Sequence, residues 1–213
     1  MLTSDSKIQE YCIQKSNRPS KTCKDLENYT KKNVPYSQML IGELEASFLG
    51  FLLRSIKATN VLEFGTFTGY SSLCMAENLP DDGLIITLDI NPETVEIAKN
   101  YWKGSTHGHK IQSIIGPALE TVKNLDKAFD FIFIDADKIN YLDYLKAGLK
   151  VLSPKGMIAI DNVLWSGKVL DQKGQDQDTL AIQNINNFIS ESTNLYGTLL
   201  PVRDGIFLIQ KLD

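Results

Sequence analysis

The stretch Phe129-Asp130-Phe131-Ile132-Phe133-Ile134-Asp135-Ala136-Asp137-Lys138 joins an apolar run directly to a group of charges. Its four consecutive apolar residues, Phe131 to Ile134, are typical of a short strand that is buried on both faces of a sheet. Ligands of open parallel sheets bind beyond the carboxyl ends of the strands. From this stretch alone two interpretations remain open. The charges either face a ligand or belong to a solvated polar loop.

Three more apolar runs end in an acid, and the acids that close them are Glu63, Asp89 and Asp161. If the four strands are parallel, these carboxylates and that of Asp135 line one edge of one sheet. Like charges crowded at such an edge repel one another unless cations or hydrogen-bond donors lie between them. The pattern therefore predicts a positively charged ligand, a metal ion, or both.

Length and composition indicate a soluble globular protein. A chain of 213 residues with 43% hydrophobic and 23% charged residues fits one α/β domain spanning residues 1–213, with residues 1–35 as an N-terminal helical arm. A formal net charge of −4 argues against a nucleic-acid partner, because nucleic-acid binders usually carry a basic patch. No segment approaches the roughly 20 apolar residues of a membrane span, so we expect no membrane partner.

The cysteines and the N-terminus indicate a cytoplasmic protein. Cys12, Cys23 and Cys74 are odd in number and lack metal-ligand spacing, so we expect reduced thiols. The first six residues have no basic flank that leads into an apolar segment, which argues against a signal peptide.

Hydrophobic periodicity and turn residues predict alternating strands and helices from residue 60 onward. The predicted helices are 20–31, 38–56, 71–79, 92–103, 118–125, 141–152 and 178–190. The predicted strands are 60–64, 84–88, 111–115, 131–134, 157–160, 195–202 and 206–212. Five βα units in a row indicate a doubly wound parallel sheet. The turn Arg203-Asp204-Gly205 predicts a hairpin, so the last strand should be antiparallel to its neighbour.

The loop after the first strand indicates the kind of cofactor. Gly65 and Gly69 allow a sharp turn close to a ligand, but their Gly-x-x-x-Gly spacing differs from the Gly-x-Gly-x-x-Gly of pyrophosphate loops. Glu63 suits a ligand that carries an ammonium group. Asp89, at the end of the second strand, suits ribose hydroxyls. These features predict a nucleoside with a cationic tail, for which S-adenosylmethionine is the obvious candidate.

The ends of the fourth and fifth strands carry a set of hard oxygen donors. Asp135, Asp161 and Asn162 favour Mg²⁺, Mn²⁺ or Ca²⁺ over zinc and leave about three coordination positions for substrate oxygens and water. Lys138 follows three residues after Asp135. A nearby divalent cation would disfavour its ammonium form, which suits a general base; a surface lysine that neutralises Asp137 is the alternative. We expect no ligand role for the two histidines, because both lie in or beside a short loop away from these strand ends.

Together these stretches resemble the cation-dependent O-methyltransferases of the caffeoyl-CoA and catechol type, bacterial members most of all. The resemblance covers the chain from about Val34 onward. The motifs that carry it are Glu63-Phe64-Gly65-Thr66-Phe67-Thr68-Gly69-Tyr70-Ser71, Gly116-Pro117-Ala118, Phe133-Ile134-Asp135-Ala136-Asp137-Lys138 with Asn140-Tyr141, and Asp161-Asn162-Val163-Leu164-Trp165-Ser166-Gly167.

The resemblance implies a Rossmann-like class I methyltransferase fold, with a seven-stranded sheet, an antiparallel last strand and helices on both faces. It implies a cation held by Asp135, Asp161 and Asn162, with Lys138 as the base. The acceptor would be a phenolic vicinal diol, free or CoA-linked, that contacts Asp135 and Ser166. The residues implied to bind S-adenosylmethionine are Met39, Ile41, Glu63, Gly65, Thr66, Ser71, Asp89, Ala118 and Asp137. Relatives are usually homodimers, so a homodimer is expected.

The resemblance and the pattern disagree at one segment, since helical periodicity alone assigns Met39 and Ile41 to the core. Phe64 stands where an aliphatic residue is commoner in the family. The arm and residues 169–178 match no member closely, so the acceptor is not predicted further. The alternatives are a nicotinamide oxidoreductase, a cofactor-binding module without catalysis, and a metal-independent methyltransferase of nucleic acid or protein.

Overall fold

The structure is a computed structural model that describes residues 6–212. Residues 1–5 of the predicted arm, and residue 213, lie outside this range. The helices are α1 (Ser6–Lys15), α2 (Lys21–Asn33), α3 (Gly42–Ser55), α4 (Tyr70–Ala76), α5 (Pro92–Lys103), α6 (Ala118–Thr121), α7 (Tyr141–Val151) and α8 (Gln177–Glu191). The strands are β1 (Asn60–Phe64), β2 (Leu84–Asp89), β3 (Ile111–Ile115), β4 (Phe129–Ile134), β5 (Leu152–Asp161), β6 (Leu195–Leu200) and β7 (Ile206–Lys211).

The described strands form one seven-stranded sheet in the order β3-β2-β1-β4-β5-β7-β6. The first five strands of the chain pair in parallel, and β7 is antiparallel to both β5 and β6. The strand order reverses beside β1, which is where ligands bind in doubly wound folds. The predicted fold class and the antiparallel last strand are confirmed.

Strand β4 is buried on both faces, as its apolar run predicts. Phe131 and Phe133 face one hydrophobic cluster, which also contains residues of α2, α3 and α4. Ile132 and Ile134 face a second cluster, which contains residues of α7 and α8. All four side chains are fully buried. The helices therefore cover the sheet on both sides, and its charged edge remains available to a ligand.

Several predicted boundaries coincide with the structure because local chemistry sets them. Asn91 caps α5 by accepting hydrogen bonds from the amides of Glu93 and Thr94, and Pro92 occupies the first helical turn. Ser20 caps α2 in the same way, through the amide of Cys23. The predicted helix 20–31 therefore corresponds to α2, and α1 was not predicted because its residues are weakly patterned.

The predicted helix 38–56 is wrong at its start. A short 3₁₀ turn spans Ser37–Met39, and α3 begins only at Gly42. Gly42 has a φ of 76°, outside the right-handed helical region, so a regular helix cannot continue from residue 38 through residue 42. Met39 is consequently 52% exposed and is not a core residue, whereas Ile41 is buried.

Other predicted elements also differ in length from the structure, among them α4, which ends at Ala76 instead of residue 79, and β6, which ends at Leu200 instead of residue 202. The predicted helix 118–125 divides into α6 and a 3₁₀ turn at Val122–Asn124. Strand β5 begins at Leu152, five residues before the predicted start, because its first half pairs with β4 across a register shift. None of the helices within residues 6–212 combines the length and apolar character required to cross a bilayer.

Candidate active site

The register of the sheet brings the four predicted acids to one edge. Phe64 pairs with Leu88 on one side and with Ile134 on the other, and Ile134 pairs with Ile160. The acids that precede or follow these residues therefore emerge together at the carboxyl ends of the strands. The amide of Asp135 donates to the carbonyl of Phe64 at 3.0 Å, which joins the predicted cofactor loop to the predicted cation ligands.

Gly65 permits the closest approach in the site. Its φ is 99°, and a Cβ at this position would lie 2.0 Å from the carbonyl oxygen of Asp135. Only glycine fits between these two backbones. Gly69 has a similar role, because a Cβ there would lie 2.5 Å from the indole of Trp102. The loop is thus packed closely against the residue that follows β4 and against α5.

Asp89 organises the glycine loop from the neighbouring strand. Its Oδ2 accepts hydrogen bonds from the amides of Thr66 at 2.9 Å and Phe67 at 2.8 Å, and its Oδ1 accepts from the amide of Asn91 at 2.9 Å. A carboxylate offers about four acceptor positions, so capacity for a ligand hydroxyl remains. The carbonyl of Asp89 also accepts from the amide of Gly116 at 2.8 Å, which brings Gly116-Pro117-Ala118 beside this carboxylate.

Glu63 is a fully buried carboxyl group at the floor of the loop. Burial and, to a smaller extent, the charge of Asp135 raise its pKa to about 7, against the lowering effect of hydrogen bonds from Ser71, Ser72 and Thr87. The Ser71 hydroxyl donates to Glu63 Oε1 at 2.5 Å, and the Ser72 hydroxyl donates to Oε2. A buried acid of this kind is stabilised in its charged form when a cationic ligand group lies beside it.

Asp137 is held in place from α7. The Tyr144 hydroxyl donates to Asp137 Oδ1 at 2.6 Å, and Asn140 Nδ2 donates to Oδ2 at 2.5 Å. Burial and the neighbouring Asp137 raise the pKa of Tyr144, so the phenol keeps its proton and acts as the donor. The Tyr144 ring packs against Phe64 with the ring centroids 5.0 Å apart. Phe64, which stands where the family more often has an aliphatic residue, therefore packs against the tyrosine that holds the predicted cofactor residue Asp137.

Lys138 lies among the predicted cation ligands. Its Nζ donates to Asp135 Oδ1 at 3.2 Å and to Asn162 Oδ1 at 2.8 Å, and also to the Tyr141 hydroxyl. The Lys138 nitrogen is thus within hydrogen-bond distance of two of the three predicted cation ligands, Asp135 and Asn162. Trp165 approaches the same nitrogen, with its ring centroid 5.8 Å away.

Asp161 is the last residue of strand β5, and Asn162 follows it in an unusual conformation. Asn162 has a φ of 59°, and its amide donates to Asp161 Oδ1 at 2.6 Å. Asp161 is only 2% exposed. Burial, followed by the charge of Asp135, raises the pKa of Asp161 to about 7, although the Asn162 amide and the cations of Arg203 and Lys138 lower it.

Glu45, in the first turn of α3, is a site residue that the sequence analysis missed. It is fully buried, and its Oε1 has no hydrogen-bond partner within the described part of the chain. Its Oε2 accepts from Arg203 Nη1 at 2.9 Å. Burial and then the charge of Asp161 raise its pKa well above the usual range, and Arg203 only partly offsets this effect. The available signal was an acid in the apolar stripe of a helix, four residues after Ile41 and four before Leu49.

The donor set fits a hard cation by its chemistry. Asp135 and Asp161 supply carboxylates and Asn162 supplies an amide oxygen. Burial first, and then the charge of Asp135, raises the pKa of Asp161, and a cation beside it would favour the charged carboxylate. Within residues 6–212, no group of three or more acidic, histidine or cysteine side chains is arranged to hold a metal ion. The predicted cation site thus consists of two acids and one amide, and it stays a prediction.

The remaining predicted residues lie at the margins of this site. Ser166 is exposed with a φ of 54°, and its amide donates to Asp204 Oδ1 at 2.6 Å. Ile41 is buried, and its carbonyl accepts from Arg203. His109 is exposed and His107 lies against Lys110, away from the charged edge, in agreement with the prediction. All three cysteines are free thiols.

The chain is similar to known proteins over nearly its whole length. The sequence pattern of the O-methyltransferase family matches residues 13–212. The chain is 34% identical to probable caffeoyl-CoA O-methyltransferase 2 of Dictyostelium discoideum, covering 98% of this chain and 93% of the relative. It is 33% identical to caffeoyl-CoA O-methyltransferase of Petroselinum crispum, covering 100% of this chain and 93% of the relative.

Solved structures resemble the fold over the same length. The O-methyltransferase from Bacillus cereus in complex with SAH superimposes with a TM-score of 0.88 at 26% identity, covering 99% of this chain and 100% of the other. The SAH-bound methyltransferase PaMTH1 of Podospora anserina gives a TM-score of 0.88 at 28% identity, covering 97% and 94%. On the sequence match across residues 13–212 and the identities above 30%, the chain is an enzyme of the O-methyltransferase family.

Proposed function

We propose that this protein transfers the methyl group of S-adenosylmethionine to one hydroxyl of a phenolic vicinal diol, free or CoA-linked, in a reaction that requires a divalent cation. Mg²⁺ is the first candidate, and Mn²⁺ or Ca²⁺ are alternatives. The observation that carries the proposal is the junction at Gly65, where the glycine loop lies against the backbone of Asp135. A donor half and an acceptor half of one site thereby share a single sheet edge. Relatives named caffeoyl-CoA O-methyltransferase, and neighbours solved with SAH, support this assignment.

The donor half suits the methyl-donor substrate, which supplies an electrophilic methyl group on a sulfonium centre. Glu63 would face its ammonium group, and binding would favour the charged carboxylate. Asp89 keeps acceptor capacity for ribose hydroxyls, and its bonds to the loop amides fix its orientation. Asp137, held by Tyr144 and Asn140, would bind a further polar group of the same molecule. Met39, Ile41, Gly65, Thr66, Ser71 and Ala118 complete the proposed donor contacts.

The acceptor half would hold the cation through Asp135, Asp161 and Asn162. When bound, a divalent cation makes a chelated hydroxyl more acidic. Lys138 Nζ is within hydrogen-bond reach of two of these residues, so it would also be within reach of that hydroxyl. After losing its own proton to solvent, Lys138 takes the hydroxyl proton, the oxygen–methyl bond forms and the sulfur–methyl bond breaks. Ser166 and the ring of Trp165 would border the acceptor.

The experiment is a labelled methyl-transfer assay on a panel of vicinal diols and matched monophenols, with Mg²⁺ or with excess EDTA. We expect transfer to diols only, and only with the cation. Asp135→Ala should abolish transfer while SAH binding largely survives, and Lys138→Ala should lower kcat more than it raises KM. The exposed Asp126→Ala and Lys150→Ala serve as controls and should behave as the unsubstituted protein.

Each part of the proposal has its own contrary result. Full activity in EDTA would remove the cation, and an unchanged kcat for Lys138→Ala would remove the base. SAH binding without transfer to any diol would favour a module that binds the cofactor without catalysis. We also propose that the protein is a homodimer, which light scattering on the purified protein tests directly.

A further inference from the structure

The glycine loop, residues 65–69, has a backbone conformation that its surroundings must hold in place. Gly65, Phe67 and Gly69 have positive φ values of 99°, 48° and 77°. A left-handed conformation is unfavourable for a side chain as large as that of phenylalanine, and it persists only where neighbouring contacts determine it. The contacts made to this loop therefore decide whether its polar groups are presented correctly to a ligand.

Two supports of the loop come from the sheet and from α5. Asp89, at the end of β2, accepts hydrogen bonds from the amides of Thr66 and Phe67. Trp102 Nε1, in α5, donates to the carbonyl of Gly69 at 3.1 Å. The side chain of Thr68 lies between these contacts in sequence, and its hydrogen bond comes from a third element.

That third element is helix α2 of the N-terminal arm. The Thr30 hydroxyl donates to Thr68 Oγ1 at 2.9 Å, across 38 residues of sequence. Both threonines are fully buried, so loss of this donor would leave the Thr68 oxygen without it in a place that excludes water, which is unfavourable. Thr30 begins the last turn of α2, and its carbonyl accepts from the amide of Val34 at 3.0 Å, which closes the helix.

Helix α2 is itself fastened near both of its ends. The Ser20 amide donates to Glu77 Oε2 at 3.0 Å, and Cys23 Sγ donates to Glu77 Oε1 at 3.2 Å, just beyond the end of α4. Near the other end of α2, the Tyr29 ring packs against the Tyr101 ring of α5, with the centroids 5.7 Å apart. The Thr30 hydroxyl is therefore presented to the loop from an anchored support.

We propose that Thr30 is a positioning residue for the methyl donor: from α2 it holds the Thr68 hydroxyl and so keeps the glycine loop in its binding conformation. The second helix of the arm then belongs to the donor half of the site, although it precedes every motif that carries the family resemblance. The inference rests on the proposed donor site and adds a residue to it.

The test is the calorimetric Kd for SAH, measured beside urea denaturation of the same variants. Thr30→Val keeps the shape of the side chain without its hydroxyl, and it should raise the Kd by about 3- to 10-fold, the range that one hydrogen bond supports. Thr30→Ser keeps the hydroxyl and should keep the affinity. Thr179→Val is the matched control, because Thr179 is also buried in a helix and donates to Asp176 Oδ1 at 2.7 Å, but α8 carries no predicted donor residue. This control should lose stability and keep its Kd.

A double-mutant cycle with Thr68→Val shows whether the effect passes through this hydrogen bond. The double variant should bind SAH no more weakly than the weaker of the two single variants, because both substitutions break the same interaction. In the methyl-transfer assay, Thr30→Val should raise the KM for S-adenosylmethionine more than it lowers kcat, since it loosens binding without altering the reacting groups.

The outcomes separate this role from the proposed function. An unchanged Kd in Thr30→Val, equal losses in Thr30→Val and Thr30→Ser, a similar loss in Thr179→Val or additive losses in the cycle would overturn the positioning role alone. Absence of SAH binding by the unsubstituted protein would overturn the donor site as well.

If Thr30→Val does not fold, amide hydrogen exchange of the unsubstituted protein decides. Coupling between two sites is reciprocal, so bound SAH should slow exchange in α2 more than in α8. Equal slowing in the two helices would overturn the role.

Discussion

Replacing Gly65 with alanine should damage the site at the point where its two halves meet. The new Cβ would lie 2.0 Å from the Asp135 carbonyl oxygen, whereas ordinary contacts begin at 3.4 Å, so one backbone must move by about 1.4 Å, the difference of these distances. The positive φ of 99° adds strain of about 1–2 kcal/mol for any residue with a Cβ. Overpacking against backbone adds roughly 1–3 kcal/mol. We therefore expect a loss of about 2–5 kcal/mol in the free energy of unfolding.

Function should fall further than stability suggests. A displacement of about 1 Å between reacting groups can cost roughly 100-fold in rate, and this change moves Asp135 relative to the donor loop. Urea denaturation followed by circular dichroism measures the stability, and the labelled methyl-transfer assay measures the rate. Gly174→Ala is the control: its φ is 71°, and no other described atom lies within 4 Å of the added Cβ. If both variants lose the same stability and Gly65→Ala keeps its rate, the close-approach argument is wrong.

Three further predictions concern single side chains. Lys110→Met should lower the free energy of unfolding by about 2–4 kcal/mol, because the buried Nζ donates to two backbone carbonyls near the end of α4, at 3.3 and 2.9 Å. A urea midpoint equal to that of the unsubstituted protein would contradict this. Tyr144→Phe removes the 2.6 Å hydrogen bond to Asp137 and should raise the calorimetric Kd for SAH by about tenfold; an unchanged Kd would show that this bond does not position Asp137 for the ligand. The pKa of Glu63 is about 7 in the folded protein and 4.5 in the unfolded chain, so the folded protein binds the proton more tightly. The resulting contribution to the free energy of unfolding is fully present below pH 4.5 and is lost as the pH rises to about 7. Ligand-free protein should therefore lose about 3 kcal/mol between pH 4.5 and 8 from this group, and Glu63→Gln should abolish that part of the slope in urea titrations.

Local signals were sufficient for most of the fold. Helix α5 begins where Asn91 and Pro92 predict, because a cap and a proline act on their own turn of backbone. Strand β4 follows from its apolar run, because burial on both faces requires an unbroken series of large side chains. Because helices alternate with strands along the chain, the strands are expected to be parallel, and the acids at their carboxyl ends then lie at one edge of the sheet.

The missed features depend on contacts that are remote in sequence. Arg203 looks like an exposed turn residue, and its link to Glu45 exists only after the last hairpin has folded against α3. The start of α3 was misplaced because helical periodicity continues through Met39, although the backbone turns sharply at Tyr36 and Gly42. Tyr144 was assigned to a helix without a role, because nothing in its sequence neighbourhood indicates the bond to Asp137.

Insertion of β7 beside β5 has a consequence for biosynthesis. During translation the donor loop, the acids of β1 to β5 and all of α3 leave the ribosome before Arg203, Asp204 and Gly205 do. Until β7 follows them, residues 158–161 of β5 form an open edge, and until Arg203 arrives Glu45 lacks its guanidinium partner. A nascent polypeptide stalled before residue 203 would therefore display only the five parallel strands of the sheet, because β6 joins the sheet through β7. The sheet would then be completed only when the hairpin of β6 and β7 forms. Comparison of ribosome-arrested chains that end before and after this hairpin would test whether the site forms at that point.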